Sequence, residues 1–462
     1  MSSQNHSEYS EPAIKSYFFG KGYHDLNATI ADSWQGNLRD AGNFFQTAAG
    51  HWADEGVGYI LAIMFFTASI SVMVFGTALF LVLSAIHIII LFLFYLLILI
   101  CFSLTYLIDK GFRSIKGFFT VCPECHTRSP LPEYMCPECH RWHRYLSPNP
   151  YGILYHTCLC GTKLPCVFFL GRASFQSRCA NNACRTFLDL IHTNSVKAFV
   201  PVIGGPGVGK TVFLAASIEA YRQQAAQGSA NVLFHEDHAE SEFQMVMARL
   251  REGRLPDKTV SPLPRANTLK IAHEGSQTPQ LLYLYDPAGE AFLNSDTLAV
   301  HNYLEYLSGI LFLLEPPQAT LTSTETASPD EVLTRLRNVM QERFQLNLRE
   351  KLAVPVAVVV TKMDTVDDSC LFRDRVTAAD TPGRAYPDEL SRAVREKLCN
   401  WGLDYFAHQI ETHCSNVRYF ACSPLGREVD DSGMPYASWG IVKPLEWIFL
   451  SRDKRFLPFS GG

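Results

Sequence analysis

The chain has 462 residues, of which 47% are hydrophobic and 18% charged, and a formal net charge of -5. That length exceeds one ordinary core and sets a prior of two or three units. The near-neutral balance gives no electrostatic ground for nucleic acid as an obligatory partner.

The first residues, MSSQNHSEYS, are polar and present no basic region leading into an apolar core, so a cleaved secretory signal is not expected. Residues 1–55 read as a cytoplasmic, partly helical segment. Phe18, Phe19, Trp34, Phe44, Phe45 and Trp52 recur there without a regular period. Residues 56–110 are different in kind, because no Asp, Glu, Lys or Arg occurs from Val57 to Ile108. One helix of that length would run on the order of 75 Å, against a bilayer core of about 30 Å. The block is therefore expected to cross a membrane twice, as a hairpin of two helices turning near Ser84 and His87. A re-entrant hairpin is the alternative. His87 then sits at an interfacial turn. Lys110, Arg113 and Lys116 flank the block and place both ends, with the bulk of the chain, on the cytoplasmic side of a cytoplasmic or inner membrane.

Eight of the 14 cysteines fall in closely spaced pairs between Cys122 and Cys184. Pairs two residues apart suit metal ligation better than disulfides, which points to a reducing compartment. Cys122-Pro-Glu-Cys125 and Cys136-Pro-Glu-Cys139 read as one closed tetrahedral zinc site. Cys158, Cys160, Cys179 and Cys184 read as a second ribbon of less regular spacing, with Cys166 as an extra candidate ligand. His126, His140 and His143 read as supporting or exposed residues. Residues 118–190 thus form two zinc ribbons, a spacer or protein-docking module.

Residues 195–462 carry the chemistry. The apolar strand Ala198–Ile203 runs into Gly204-Gly205-Pro206-Gly207-Val208-Gly209-Lys210-Thr211, followed by a helix over Val212–Gln227. In such a phosphate loop the glycines let backbone N–H groups curl around a β-phosphate. Lys210 reaches the β and γ oxygens, Thr211 ligates Mg2+, and the helix adds its dipole. The strand Leu281–Tyr285 ends in Asp286-Pro287-Ala288-Gly289-Glu290. There Asp286 would support Mg2+ through water and the Gly289 N–H would touch the γ-phosphate. A further threonine is expected on Mg2+, with Thr259 first and Thr268 second. Glu290 stands where many small GTPases carry a water-positioning Gln, and a carboxylate beside a γ-phosphate is repelled unless protonated or paired. The strand Val354–Val360 ends in Thr361-Lys362-Met363-Asp364. Asp364 can accept two hydrogen bonds from the guanine ring N–H and exocyclic amine, which adenine does not offer in that arrangement, while Lys362 lies along the base. The last strand, Val417–Cys422, leads to Ser423-Pro424-Leu425-Gly426, where Ser423 or Leu425 supplies the N–H for the guanine carbonyl because Pro424 has none.

In this order, GGPGVGKT, DPAGE, TKMD and CSPLG resemble the translation-factor-like class of GTPases. With CPEC-type ribbons ahead of them, from Val121 to Leu450, they are similar to the bacterial double-GTPase domain proteins. The resemblance implies a regulatory GTPase that takes GTP/GDP, Mg2+ and Zn2+ and works with a second GTPase and effectors in multi-gene, often defence-like, systems. The expected fold is α/β, a mostly parallel sheet flanked by helices such as Asp330–Leu352 and Pro387–Trp401, preceded by the ribbons and the transmembrane hairpin. Gly228–Ala266 and Ala319–Ser328 read as mobile insertions. Competing functions are an ATP-dependent remodelling enzyme at the membrane and a ribbon scaffold whose nucleotide is never turned over.

Overall fold

The computed structural model describes residues 11–53, 56–228, 230–256, 266–274, 278–287, 304, 306–317, 328–344, 350–427 and 436–459. The chain divides into two compact units, Met1–Ile115 with Leu131–Ala180, and Lys116–Pro130 with Asn181–Gly462.

In the first unit, strand β1 (Ala13–Ile14) precedes helix α1 (Lys21–His51). Helix α2 (Val57–Ser71), a π turn (Val72–Gly76) and helix α3 (Thr77–Lys116) follow as one uninterrupted rod of 60 residues. This rod is long and apolar enough to cross a membrane. The expected turn at Ser84 and His87 is absent, because neither residue breaks a helix and no Gly or Pro lies between them. Ser84 instead accepts a hydrogen bond from the Trp34 indole N–H at 3.1 Å, and His87 lies within the helix rather than at a turn.

The hairpin is formed elsewhere. The chain reverses ahead of α2, with Gly56 at φ 71°, and lays α1 antiparallel along the rod. Ring contacts run from Trp52 on Tyr59, through Phe44 on Phe65 and Trp34 on Phe80, to Tyr23 on Tyr95. Small residues allow the close approach, among them buried Ala41, Ala48, Ala62 and Ser69, whose hydroxyl donates to Ala41 O at 2.7 Å. At the π turn a Cβ on Gly76 would come within 2.1 Å of Asn37 Oδ1. Trp34, Phe44 and Phe45, irregularly spaced in sequence, thus lie on the face of α1 that packs against the rod. Its outer face exposes Asp25, Asp32, Arg39 and Asp40.

The rest of this unit is β-rich. Strands β4 (Glu133–Met135), β5 (Trp142–His143), β6 (Tyr155–Cys158), β7 (Lys163–Pro165) and β8 (Ser177–Arg178) form small antiparallel sheets, with β1 added to β6. A buried ion pair ties them to α3. Asp109, 1% exposed, accepts from Arg172 at 3.2 Å, from the Phe168 N–H at 2.8 Å and from Arg113 at 3.1 Å.

The second unit carries the short strands β2 (Thr120–Val121), β3 (Arg128–Ser129) and β9 (Phe187–Leu188) and the one-turn helix α4 (Leu190–Asn194). Its core is a sheet built from β10 (Val196–Ile203), β11 (Ala230–Phe234), β12 (Ala266–His273), β13 (Gln280–Tyr285), β14 (Ile310–Leu314), β15 (Val356–Val360) and β16 (Val417–Ala421). The strand order is β11-β12-β13-β10-β14-β15-β16. The five strands from β13 to β16 are mutually parallel, and β12 pairs antiparallel with both β11 and β13. Runs such as VAVVV and ILFLL are buried along their whole length, as strands covered on both faces must be. The helices are α5 (Lys210–Gln227), α6 (Asp237–Arg251), α7 (Pro329–Phe344), α8 (Ser369–Ala379), α9 (Asp388–Asn400), α10 (Asp404–His413) and α11 (Lys443–Arg452).

The stretch from Gly228, expected as an insertion, instead supplies edge strand β11 and helix α6, whose Phe243 stacks on Phe234. The alternation ANVLF buries Ala230, Val232 and Phe234, a period-2 signal that the sequence already held. Most of the other expected insertion, residues 319–327, lies outside the described residues.

Replacing Arg172 by Met should leave the Asp109 carboxylate buried without its main counter-charge and destabilise the first unit by about 3–5 kcal/mol. A denaturation midpoint for the full chain that matches wild type would show that this pair does not hold α3 to the ribbons.

Candidate functional site

Because β10, β13, β14, β15 and β16 are parallel, their carboxyl ends share one edge, and every loop of the candidate site leaves from it. In open α/β sheets that edge is where ligands bind. The turn after β10 has Gly207 at φ 78° and Gly209 at φ 82°, both left-handed. A Cβ on Gly204 would fall 2.7 Å from Leu313 O. These positions need glycine for geometry, apart from any ligand. Lys210 is buried, and its Nζ donates to Gly204 O at 3.0 Å and Gly205 O at 2.8 Å, so the ammonium is held inside its own loop.

Thr211 follows directly, and its hydroxyl donates to Asp286 Oδ2 at 2.7 Å. The two oxygens come from the ends of adjacent strands, β10 through its loop and β13. Burial pushes the Asp286 carboxyl above its ordinary value, while the Thr211 hydrogen bond and the Lys210 charge pull it back down. A cluster of hard oxygens beside an ammonium fits Mg2+ and phosphate.

The loop after β15 is tied to the phosphate loop by one side chain. Thr361, fully buried, directs its hydroxyl at Val208 O (2.9 Å) and Leu314 O (3.0 Å). Lys362 adopts φ 53° and pairs with Glu315, the residue after β14. Asp364 accepts a short hydrogen bond from the Ser423 hydroxyl, which in turn accepts from the Gly426 N–H at 2.6 Å. The Ser423 N–H is engaged by Trp439 O at 3.1 Å, so Ser423 serves through its side chain rather than through the amide considered for it.

A cavity of about 780 Å3 opens among these loops. Gly207, Gly209, Thr361, Lys362, Asp364 and Leu425 all line it. Glu315, Arg427 and Trp401 were not foreseen, although Arg427 and Trp401 line the same cavity. Glu315 had a signal in its position directly after the apolar run ILFLL. Thr259, Gly289 and Glu290 lie outside the described residues. Thr268, the second choice for a metal-binding threonine, is buried within β12 opposite Tyr283, near the end of β12 that pairs with Tyr285.

All eight paired cysteines fall into two four-sulfur clusters, but not in sequence order. Cys122 and Cys125 group with Cys179 and Cys184, whereas Cys136 and Cys139 group with Cys158 and Cys160. The expected sites, one from the first two knuckles and one from the last two, are thereby replaced by a nested pair. Cys166 belongs to neither cluster and packs in an apolar core with Tyr134 and Leu146. Within the clusters, S···S separations are 3.6 Å for Cys122–Cys184, 3.7 Å for Cys136–Cys160 and 3.4 Å for Cys139–Cys158. Four thiolates at about 2.3 Å from one zinc stand about 3.8 Å apart, so these separations suit a metal and far exceed a disulfide bond. Similar turns recur locally. His126 N bonds Cys122 O and His140 N bonds Cys136 O, each at 3.0 Å, with both histidines left-handed.

Residues 198–421 match the family model described as Double-GTPase 2. No curated protein matches the chain.

Asp286 carries a stability cost with a definite sign. Its folded-state carboxyl titrates above the ordinary 3.8, so the stability it contributes is present below that value and lost as pH rises through the raised one. Asp286→Asn should therefore raise the denaturation midpoint of nucleotide-free protein at neutral pH and flatten its pH dependence in the acid range. A lower midpoint at neutral pH would contradict this electrostatic account.

Proposed function

From the match of residues 198–421 to the double-GTPase 2 family model, we propose that the chain is a membrane-attached regulatory GTPase, dependent on Mg2+, that signals to protein partners. The convergence of the β10, β15 and β16 loops on one cavity, beside the Thr211–Asp286 oxygens, carries this reading.

Each residue has a role that follows from its chemistry. The Gly207 to Thr211 amides at the start of α5 favour an anionic phosphate. Lys210 exchanges the Gly204 and Gly205 carbonyls for phosphate oxygens. The Thr211 hydroxyl and, through water, Asp286 would hold Mg2+, which when bound neutralises charge on the β and γ oxygens. Asp364 reads the guanine N–H and amine, its orientation fixed by Ser423. Leu425 lines the cavity, and its N–H suits the guanine carbonyl. Loss of the γ-phosphate would release the segment after Asp286, which is the means of signalling. About 20 residues of the 60-residue apolar rod Val57–Lys116 would suffice to cross a bilayer, which supports attachment through a single helix rather than the two spans first expected. The partner is a protein, in line with the family a second GTPase.

Competition binding with Mg2+ should show GTP and GDP preferred over ATP. Asp364→Ala should reduce that preference by about 10- to 100-fold, the range for a bidentate base contact. An unchanged preference would remove Asp364 from base recognition.

In single-turnover hydrolysis, Glu290→Gln should be faster than wild type, because it removes a carboxylate repelled by the γ-phosphate. Equal rates would take Glu290 out of the mechanism.

A further inference from the structure

The first unit holds a third cluster of ligand-type side chains, and it contains no cysteine. Glu11, His143 and His156 are all buried, at 6%, 0% and 0% exposure, and present ligand atoms within 4.8 Å of one another. Two of them come from β-strands, His143 from β5 and His156 from β6. Glu11 lies two residues before β1, which pairs with β6 through Ala13 opposite Cys158.

The hydrogen bonding of the three does not close. Glu11 Oε1, His143 Nδ1, His143 Nε2 and His156 Nδ1 are all buried without a hydrogen-bond partner. Leaving such groups buried and unsatisfied is unfavourable, most of all for a carboxylate. Glu11 Oε1 and His143 Nδ1 stand 3.3 Å apart yet do not align as a hydrogen bond. That is the separation of two ligands on one tetrahedral zinc with bonds of about 2.0–2.1 Å, whose edges are about 3.3–3.4 Å. Two of the three, His156 and Glu11, have outer contacts of the complementary form. His156 Nε2 lies 3.1 Å from Ser147 O, which makes Nε2 the protonated nitrogen and leaves the Nδ1 lone pair facing the cluster. Glu11 Oε2 accepts the Arg144 N–H at 3.3 Å, so one oxygen is anchored and the other is turned inward.

We propose that Glu11, His143 and His156 bind a third metal ion, a zinc held by two imidazoles and one carboxylate. Imidazole donors disfavour Mg2+ and Ca2+, and zinc is the ion that the neighbouring thiolate clusters also suit. Three protein ligands leave a fourth position for water, and the burial of all three points to a structural ion. The ion fastens the segment before β1 to the ribbon strands, and so fixes the start of the chain leading into α1.

The test is zinc content of the full chain purified in detergent without chelator. Wild type should hold three zinc ions per chain. His143→Ala with His156→Ala, and separately Glu11→Gln, should each lose one equivalent while the eight ligating thiols stay protected from a thiol reagent. Two equivalents in wild type with those thiols protected, or a variant that keeps the wild-type count, would overturn the proposal. Should the variants fail to fold, zinc K-edge absorption of wild type decides alone. A mixed sulfur and nitrogen/oxygen shell supports the third site, and a sulfur-only shell rejects it.

Discussion

A single buried hydroxyl joins the loop after β10, proposed to hold phosphate, to the loop after β15, proposed to read the base. Thr361 Oγ1 reaches Val208 O in the phosphate loop and Leu314 O at the end of β14, while its residue opens the loop that carries Asp364. Three strand ends are thereby held in one register. Beyond it Ser423 repeats the device, bridging Asp364 to the last loop through its hydroxyl. The loops proposed for phosphate and base leave β10 and β15, two places apart in the strand order, so the sheet itself sets their spacing. Preorganisation of this kind lowers the ordering cost of binding.

The second unit also places a cysteine knuckle against the strand that delivers Asp286. His126, directly after Cys125, has Nδ1 3.3 Å from the Tyr285 hydroxyl, and Tyr306 donates to its carbonyl. Burial lowers the His126 imidazole to about 4, which keeps it neutral beside Tyr285. The turn that carries Cys122 and Cys125 thus touches the residue immediately before that carboxylate. The buried pair Lys443–Glu446 contributes on the far side of the sequence, where Lys443 also caps Arg384 O at 3.0 Å and Glu446 accepts the Gly383 N–H at 2.8 Å.

What could be read from the sequence was mostly what is contiguous in it. GGPGVGKT, TKMD and the ends of β10, β13 and β15 were legible because strand, loop and helix follow one another along the chain. The partners of those loops were not. Glu315, Arg427 and the Ser423 hydroxyl reach the site only through sheet order. The cysteines show the same limit, since two CPEC turns satisfy the spacing rule for one zinc while the fold nests them inside other pairs. The apolar block fixed a length but not a break, because Ser84 and His87 are compatible with a helix, and the reversal falls outside the block at Gly56. Glu11 carried no signal, being far in sequence from the histidines it meets.

The central claim is that a carboxylate at Asp364 selects guanine by accepting two hydrogen bonds. Xanthine presents a carbonyl where guanine has its amine, so an amide that can donate suits it better. The direct measurement is Mg2+-dependent affinity of the full chain and of Asp364→Asn for GTP and for xanthosine triphosphate. The account predicts that wild type prefers GTP and that the variant reverses the order. A variant that still prefers GTP as wild type does would contradict it.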